Sequence, residues 1–135
     1  MTTELFYLLF TTILTGLLWI PVIVGRVKTR GPLKPSDYVV APTSPLPTWV
    51  DRANRAHVNA VENLALFAPV VLIGHAAGVS TAVTVGAAAV YFYARVAHAL
   101  VHITGFSLLS ARTLLFTIGW IAFLTFAFEL LRKTL

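Results

Sequence analysis

The chain has 135 residues, 58% of them hydrophobic and only 11% charged, with ten lysines and arginines against five acidic residues. That balance lies outside the range of soluble domains and specifies an integral membrane protein of one domain. The net charge of +5 is scattered among apolar spans, which argues against a nucleic-acid partner, and the absence of cysteine excludes disulfides and any protein thiol.

Leu5 to Gly25 is an uncharged run of about 21 residues, long enough at about 1.5 Å per residue to cross roughly 30 Å of hydrocarbon. Glu4 is the only charge ahead of it and no small-x-small pattern closes it, so a retained first helix over about 4–25 is expected rather than a cleaved leader. Residues 26–47 carry Pro32, Pro35, Pro42, Pro45 and Pro47 with Arg26, Lys28, Arg30 and Lys34, and read as a loop. A second helix over about 48–78 follows, with Asp51 suited to its positive N-terminal end and Pro69 expected to kink it. A third segment, about 81–104, is broken only by Arg95 and two histidines, and a fourth covers about 107–131. The turns after Gly78 and Thr104 are too short for anything but antiparallel neighbours. The predicted fold is an all-α transmembrane four-helix bundle in a single domain.

Basic residues concentrate in the first loop, with Arg52 and Arg55 beside it, while the turn near Gly78 has none. The positive-inside rule then places loop 26–47, the start of helix two and the turn between helices three and four on the cytosolic side of the cell (inner) membrane. Arg132 and Lys133 at the C-terminus pull weakly the other way.

At about 100° per residue, Arg52, Arg55, Asn59 and Glu62 fall within an arc of roughly 80° on helix two, with Asn63 at its edge. Tyr91, Arg95, His98 and His102 fall within about 60° on helix three, and Arg112 and Thr113 stand near the start of helix four. An ion at the bilayer centre costs roughly 2.5–3.5 kcal/mol, so Glu62, Arg95 and Arg112 must be paired, hydrated or near an interface. A Glu62–Arg95 ion pair is one compensation. Two readings fit these residues on their chemistry alone: a scaffold whose polar network only fixes helix packing, or a small b-type cytochrome using His98 or His102 with His75. Gly74-His-Ala-Ala-Gly78 matches a close-packing motif.

Arg52-x-x-Arg-Ala-His-x-Asn-x-x-Glu62 followed by Pro69, with Arg95-Val-Ala-His98 on the next helix, resembles the MAPEG family of membrane-associated proteins in eicosanoid and glutathione metabolism, in the manner of its bacterial glutathione transferase-like members. The resemblance spans nearly the whole chain and implies a homotrimer with glutathione as co-substrate between protomers, a lipophilic small-molecule acceptor arriving from membrane lipid, and no metal. It implies glutathione-binding roles for Arg52, Arg55, Asn59, Glu62, His98, His102 and Thr113, a structuring role in the site for Arg95, and a catalytic role for Arg112 in holding the thiolate. One of Arg26, Lys28 and Arg30 would also meet the ligand. His102 and Phe116 stand where eicosanoid-producing relatives carry tyrosines, which favours conjugation of electrophiles or reduction of hydroperoxides over more specialised chemistry.

Overall fold

A computed structural model describes residues 1–107 and 110–135. Five α-helices, α1 (Thr3–Leu17), α2 (Trp19–Arg30), α3 (Thr48–Ala76), α4 (Ala82–Thr104) and α5 (Ala111–Thr134), build four apolar spans, because α1 and α2 together make the first. No strand occurs among the described residues. The all-α class and the four spans expected from the sequence are therefore present.

The first span is not one straight run. Pro21 has no N–H to give the carbonyl of Leu17, and its ring crowds that turn, so the helix breaks at Leu18 and restarts with Pro21 in the first turn of α2, where proline is tolerated. The helix also outlasts its apolar stretch: α2 continues through Arg26, Lys28 and Arg30 and stops at Gly31, whose φ of 76° suits glycine alone. The connection to α3 is accordingly 31–47, shorter than the loop 26–47 read from its prolines, and it contains one 3₁₀ turn, Pro35–Tyr38. Arg30 ties it down through Nη2, which donates to the carbonyl of Ser44.

α3 runs unbroken through Pro69 and ends in a Schellman turn, with Gly78 at φ 69° and Val79 N–H donating to Gly74 O at 2.9 Å. Gly78 serves that turn and has no neighbour that a side chain would touch, whereas Gly74 packs against Phe126. The Gly74/Gly78 pair is thus one packing glycine and one turn glycine, not a continuous contact stripe. α4 starts at a capping box made by Thr81 and Thr84 and ends at Gly105, φ 77°. The expected start of the last helix at residues 107–109 falls in part on Leu108 and Leu109, which lie outside the described residues; α5 is described from Ala111.

Between helices in lipid there is little hydrophobic driving force, so close packing needs small residues and shaped contacts. α4 and α5 make the most extensive contact, with the small residues Ala87 and Ala88 buried on one and Gly119 and Ala122 on the other, and α1 leans on both α3 and α4. At the centre Phe67 of α3 stacks on Tyr91 of α4, centroids 3.8 Å apart and planes 12° apart, while Phe126 of α5 meets Phe67 edge-on. Large apolar side chains such as Phe10, Ile13, Leu72, Ile121 and Leu124 point outward, where lipid replaces water as their solvent. The polar side chains Glu4, Thr84, Arg95, His98 and His102 point inward.

Candidate functional site

The site lies at the end of the bundle where α3 begins, α4 ends and α5 begins. Arg52 near the start of α3 fixes that register: its Nε donates to the carbonyl of Ile103 at 3.1 Å, and its guanidinium lies over Gly105, where a Cβ would come within 3.0 Å of it. A cation on the last carbonyls of α4 also complements that helix's negative end.

From this end a groove of about 490 Å³ opens along the bundle. Helix α3 contributes Arg55, Val58, Asn59 and Glu62, spaced three and four apart so that they share one face; α4 contributes His98 and His102, and α5 contributes Arg112, Thr113 and Phe116. Arg55, Glu62 and Arg112 are exposed, and none makes a hydrogen bond or ion pair among the described residues. Two basic groups and one acidic group face the same space without cancelling each other internally. His98 and His102 form the buried wall, 5% and 8% exposed, with rings 5.5 Å apart and edge to face.

Arg95 sits behind this wall. It is 4% exposed, with Nη1 donating to Asn59 Oδ1 at 3.4 Å and Nη2 to the Phe116 carbonyl at 3.3 Å. Its guanidinium lies between two rings, 5.6 Å from the Tyr91 centroid and 5.3 Å from that of Phe116, which replaces part of its hydration with cation–π attraction. The anticipated Glu62–Arg95 ion pair is not formed. Asn59, one turn before Glu62, takes that position, and Glu62 turns to the groove; the only ion pair among the described residues is Glu129–Arg132 near the far end of α5.

Sequence reasoning therefore placed Arg55, Asn59, Glu62, His98, His102, Arg112 and Thr113 at what is one cavity. Arg52 belongs to its rim, Arg95 touches it only through Asn59 and Phe116, and Asn63 turns away to donate to the Asn59 carbonyl at 2.8 Å. Arg26 and Arg30 lie instead along a separate cleft under the connection, with Asp37, and neither lines the groove. Gly119 was missed. A Cβ there would stand 2.6 Å from Arg95 Nη2, so this glycine makes the room in which the guanidinium lies. A glycine in mid-helix costs about 1 kcal/mol against alanine, and that penalty was the available signal.

The haem arrangement is not assembled. His75 is exposed near the end of α3, roughly 20–30 Å along the bundle from His98 and His102 by helical rise. No group of three or more metal-ligating side chains converges among the described residues.

No curated protein matches the chain. The model of the MAPEG family matches residues 5–132, nearly its whole length. With four apolar spans and this family match over almost every residue, the chain is an integral membrane protein that belongs to the MAPEG family.

Proposed function

We propose that the protein is a glutathione-dependent transferase or peroxidase that turns the glutathione thiolate on a lipophilic electrophile or hydroperoxide drawn from the bilayer. The family includes glutathione transferases and related enzymes. The observation that carries the reading is the groove, where Arg55, Arg112 and Glu62 face one space with their charges uncommitted. A purely structural network would consume such charges in pairs, which is the argument against the scaffold alternative.

Glutathione carries two carboxylates, an ammonium group and a thiol. Arg55 and Asn59 suit a carboxylate, Glu62 suits the ammonium, and the buried His98 and His102 offer ring nitrogens beside them. Its thiol has a pKa near that of free cysteine, about 8.5, so little is ionised at neutral pH. Arg112 within about 4 Å of the sulfur would favour the anion by up to about 4 kcal/mol at an effective dielectric near 20, before desolvation. The thiolate then attacks without a protein base. Conjugation forms a carbon–sulfur bond and expels the leaving group or protonates the adduct. Peroxide reduction splits O–O, leaves an alcohol and a sulfenic acid, and a second glutathione condenses with that acid to disulfide and water.

The groove is open on its outer side in a single chain, and a second copy packed there would complete it; we take the working unit to be a homotrimer with its sites between protomers. Arg26, Lys28, Arg30 and Lys34 cluster at or just beyond the end of α2 that leads to α3, which supports a cytosolic orientation for this end in the inner membrane. The test is conjugation of a generic aromatic electrophile by native and Arg112→Ala protein in lipid nanodiscs. Turnover should fall roughly tenfold or more with glutathione affinity changed less. Equal turnover, or no calorimetric glutathione binding by the native protein, overturns the reading.

A further inference from the structure

The connection between α2 and α3 covers a cleft of about 280 Å³ that shares no residue with the groove assigned to glutathione. Ile23, Arg26, Val27 and Arg30 line it from α2, three and four residues apart and so on one side of that helix. Leu33 and Asp37 line it from the connection. The helix face is graded along its length. The charge-free run of the first span ends at Gly25, and Arg26 and Arg30 stand one and five residues beyond it. By helical rise that is about 1.5 and 7.5 Å, the depth of the headgroup layer that adds about 5–7.5 Å to each side of the hydrocarbon. Ile23 and Val27 straddle the boundary. Both ends of the connection are held at this level: Arg30 Nη2 donates to the Ser44 carbonyl, and Trp49, just past the far end, lies against Gly25, where a Cβ would come within 2.8 Å of the indole. The cleft therefore sits among lipid heads.

Its charges are uncommitted. Arg26 and Asp37 line one cleft without pairing, since the only ion pair among the described residues is Glu129–Arg132. Asp37 Oδ2 accepts from the Lys34 N–H at 2.8 Å, which leaves Oδ1 to spare. The Nε–H of Arg30, closed off from solvent, has no acceptor among the described residues. A buried donor left this way marks a missing partner.

We propose that this cleft holds the head of a phospholipid that carries a primary ammonium group, with the phosphate on Arg26 and Arg30 and the ammonium on Asp37. Guanidinium groups give phosphate oxygens paired donors, and a carboxylate accepts from an ammonium N–H. A quaternary choline has no N–H for Asp37 and is held instead by aromatic faces, of which the cleft has none among the described residues. A glycerol head brings no cation to Asp37. The cleft has the room of about nine water molecules, enough for a head but not for acyl chains, which would run past Ile23 into the bilayer. The site does not depend on the proposed activity.

The experiment uses the full chain in nanodiscs of phosphatidylethanolamine, phosphatidylcholine and phosphatidylglycerol with identical acyl chains, and native mass spectrometry counts the lipids that stay on the protein. Phosphatidylethanolamine should be retained over each of the others roughly fivefold or more. Asp37→Asn should remove that preference, and Arg26→Gln should lower retention of phosphatidylethanolamine roughly fivefold or more. Arg26 makes no ion pair within the chain, so Arg26→Gln should melt within about 2 °C of native in phosphatidylcholine alone, which separates a lost lipid from a lost fold. Saturating glutathione should leave retention unchanged. The site is overturned if the three lipids are retained alike, if Asp37→Asn keeps the preference, if Arg26→Gln retains lipid as native does, or if glutathione displaces the lipid. If the native protein retains phosphatidylethanolamine in this way and binds no glutathione, this site stands and the proposed activity falls.

Discussion

Gly119 lies directly beneath the guanidinium of Arg95, where a Cβ would be 2.6 Å from Nη2 and 3.0 Å from Nε. The alanine variant Gly119→Ala should therefore push Arg95 off the Phe116 carbonyl and loosen its hold on Asn59. We expect a stability loss of about 1–3 kcal/mol, read as a lower melting temperature in detergent, although alanine is the better helix former. An unchanged or raised melting temperature would show that the glycine is incidental.

The paired variants Gly25→Ala and Gly16→Ala separate packing from propensity. A Cβ on Gly25 would strike the Val50 side chain and come within 2.8 Å of Trp49, so α2 would have to move off α3. A Cβ on Gly16 meets nothing within 4 Å. Thermal unfolding should show Gly25→Ala destabilised by about 1–3 kcal/mol and Gly16→Ala neutral or stabilised by up to about 1 kcal/mol.

The polar face of each helix was legible because it depends only on the 100° step, and that is why Arg55, Asn59 and Glu62, or His98 and His102, could be grouped without a structure. What opposes what across two helices depends on their relative rise, which no single period encodes. One turn decides whether Arg95 meets Glu62 or Asn59, and the sequence left that turn open. Pro21 announced the break in the first span, but the uninterrupted apolar run masked it. The end of α2 was misplaced for the opposite reason: the hydrophobic stretch stops at Gly25, yet arginine and lysine propagate a helix readily outside the hydrocarbon. Gly119 looked like any other small residue of a membrane helix.

At the far end of the bundle Glu4 is 3% exposed, with Oε1 accepting from Ser80 Oγ at 2.9 Å and from Thr84 Oγ1 at 2.6 Å. Glu4→Ala should cost about 1–3 kcal/mol because both hydroxyls lose their acceptor, and Glu4→Gln should cost less because it retains a carbonyl oxygen. Glutathione affinity, measured by calorimetry on the same samples, should remain within about twofold of native, since the groove is at the other end.

The pH profile of conjugation tests the role of Arg112 independently of its magnitude. A fixed cation lowers the pKa of the bound thiol, so the native rate should be near its plateau from pH 7 to 9 and fall at lower pH as the thiolate is protonated. Without that charge the pKa should rise toward about 8.5, and the Arg112→Ala rate should climb steeply across the same window. Superimposable profiles would remove Arg112 from thiol activation.

The carboxylate bonds made by Glu4 give the molecule a mechanical asymmetry. They rivet the start of α1 to the start of α4 at one end, while at the other the side-chain hydrogen bonds between helices, among the described residues, are the bond from Arg52 to Ile103 and those from Arg95. Like a clothes-peg sprung at its base, the bundle should then open more readily at the groove than beside Glu4, and amide hydrogen exchange faster at the groove end would check it.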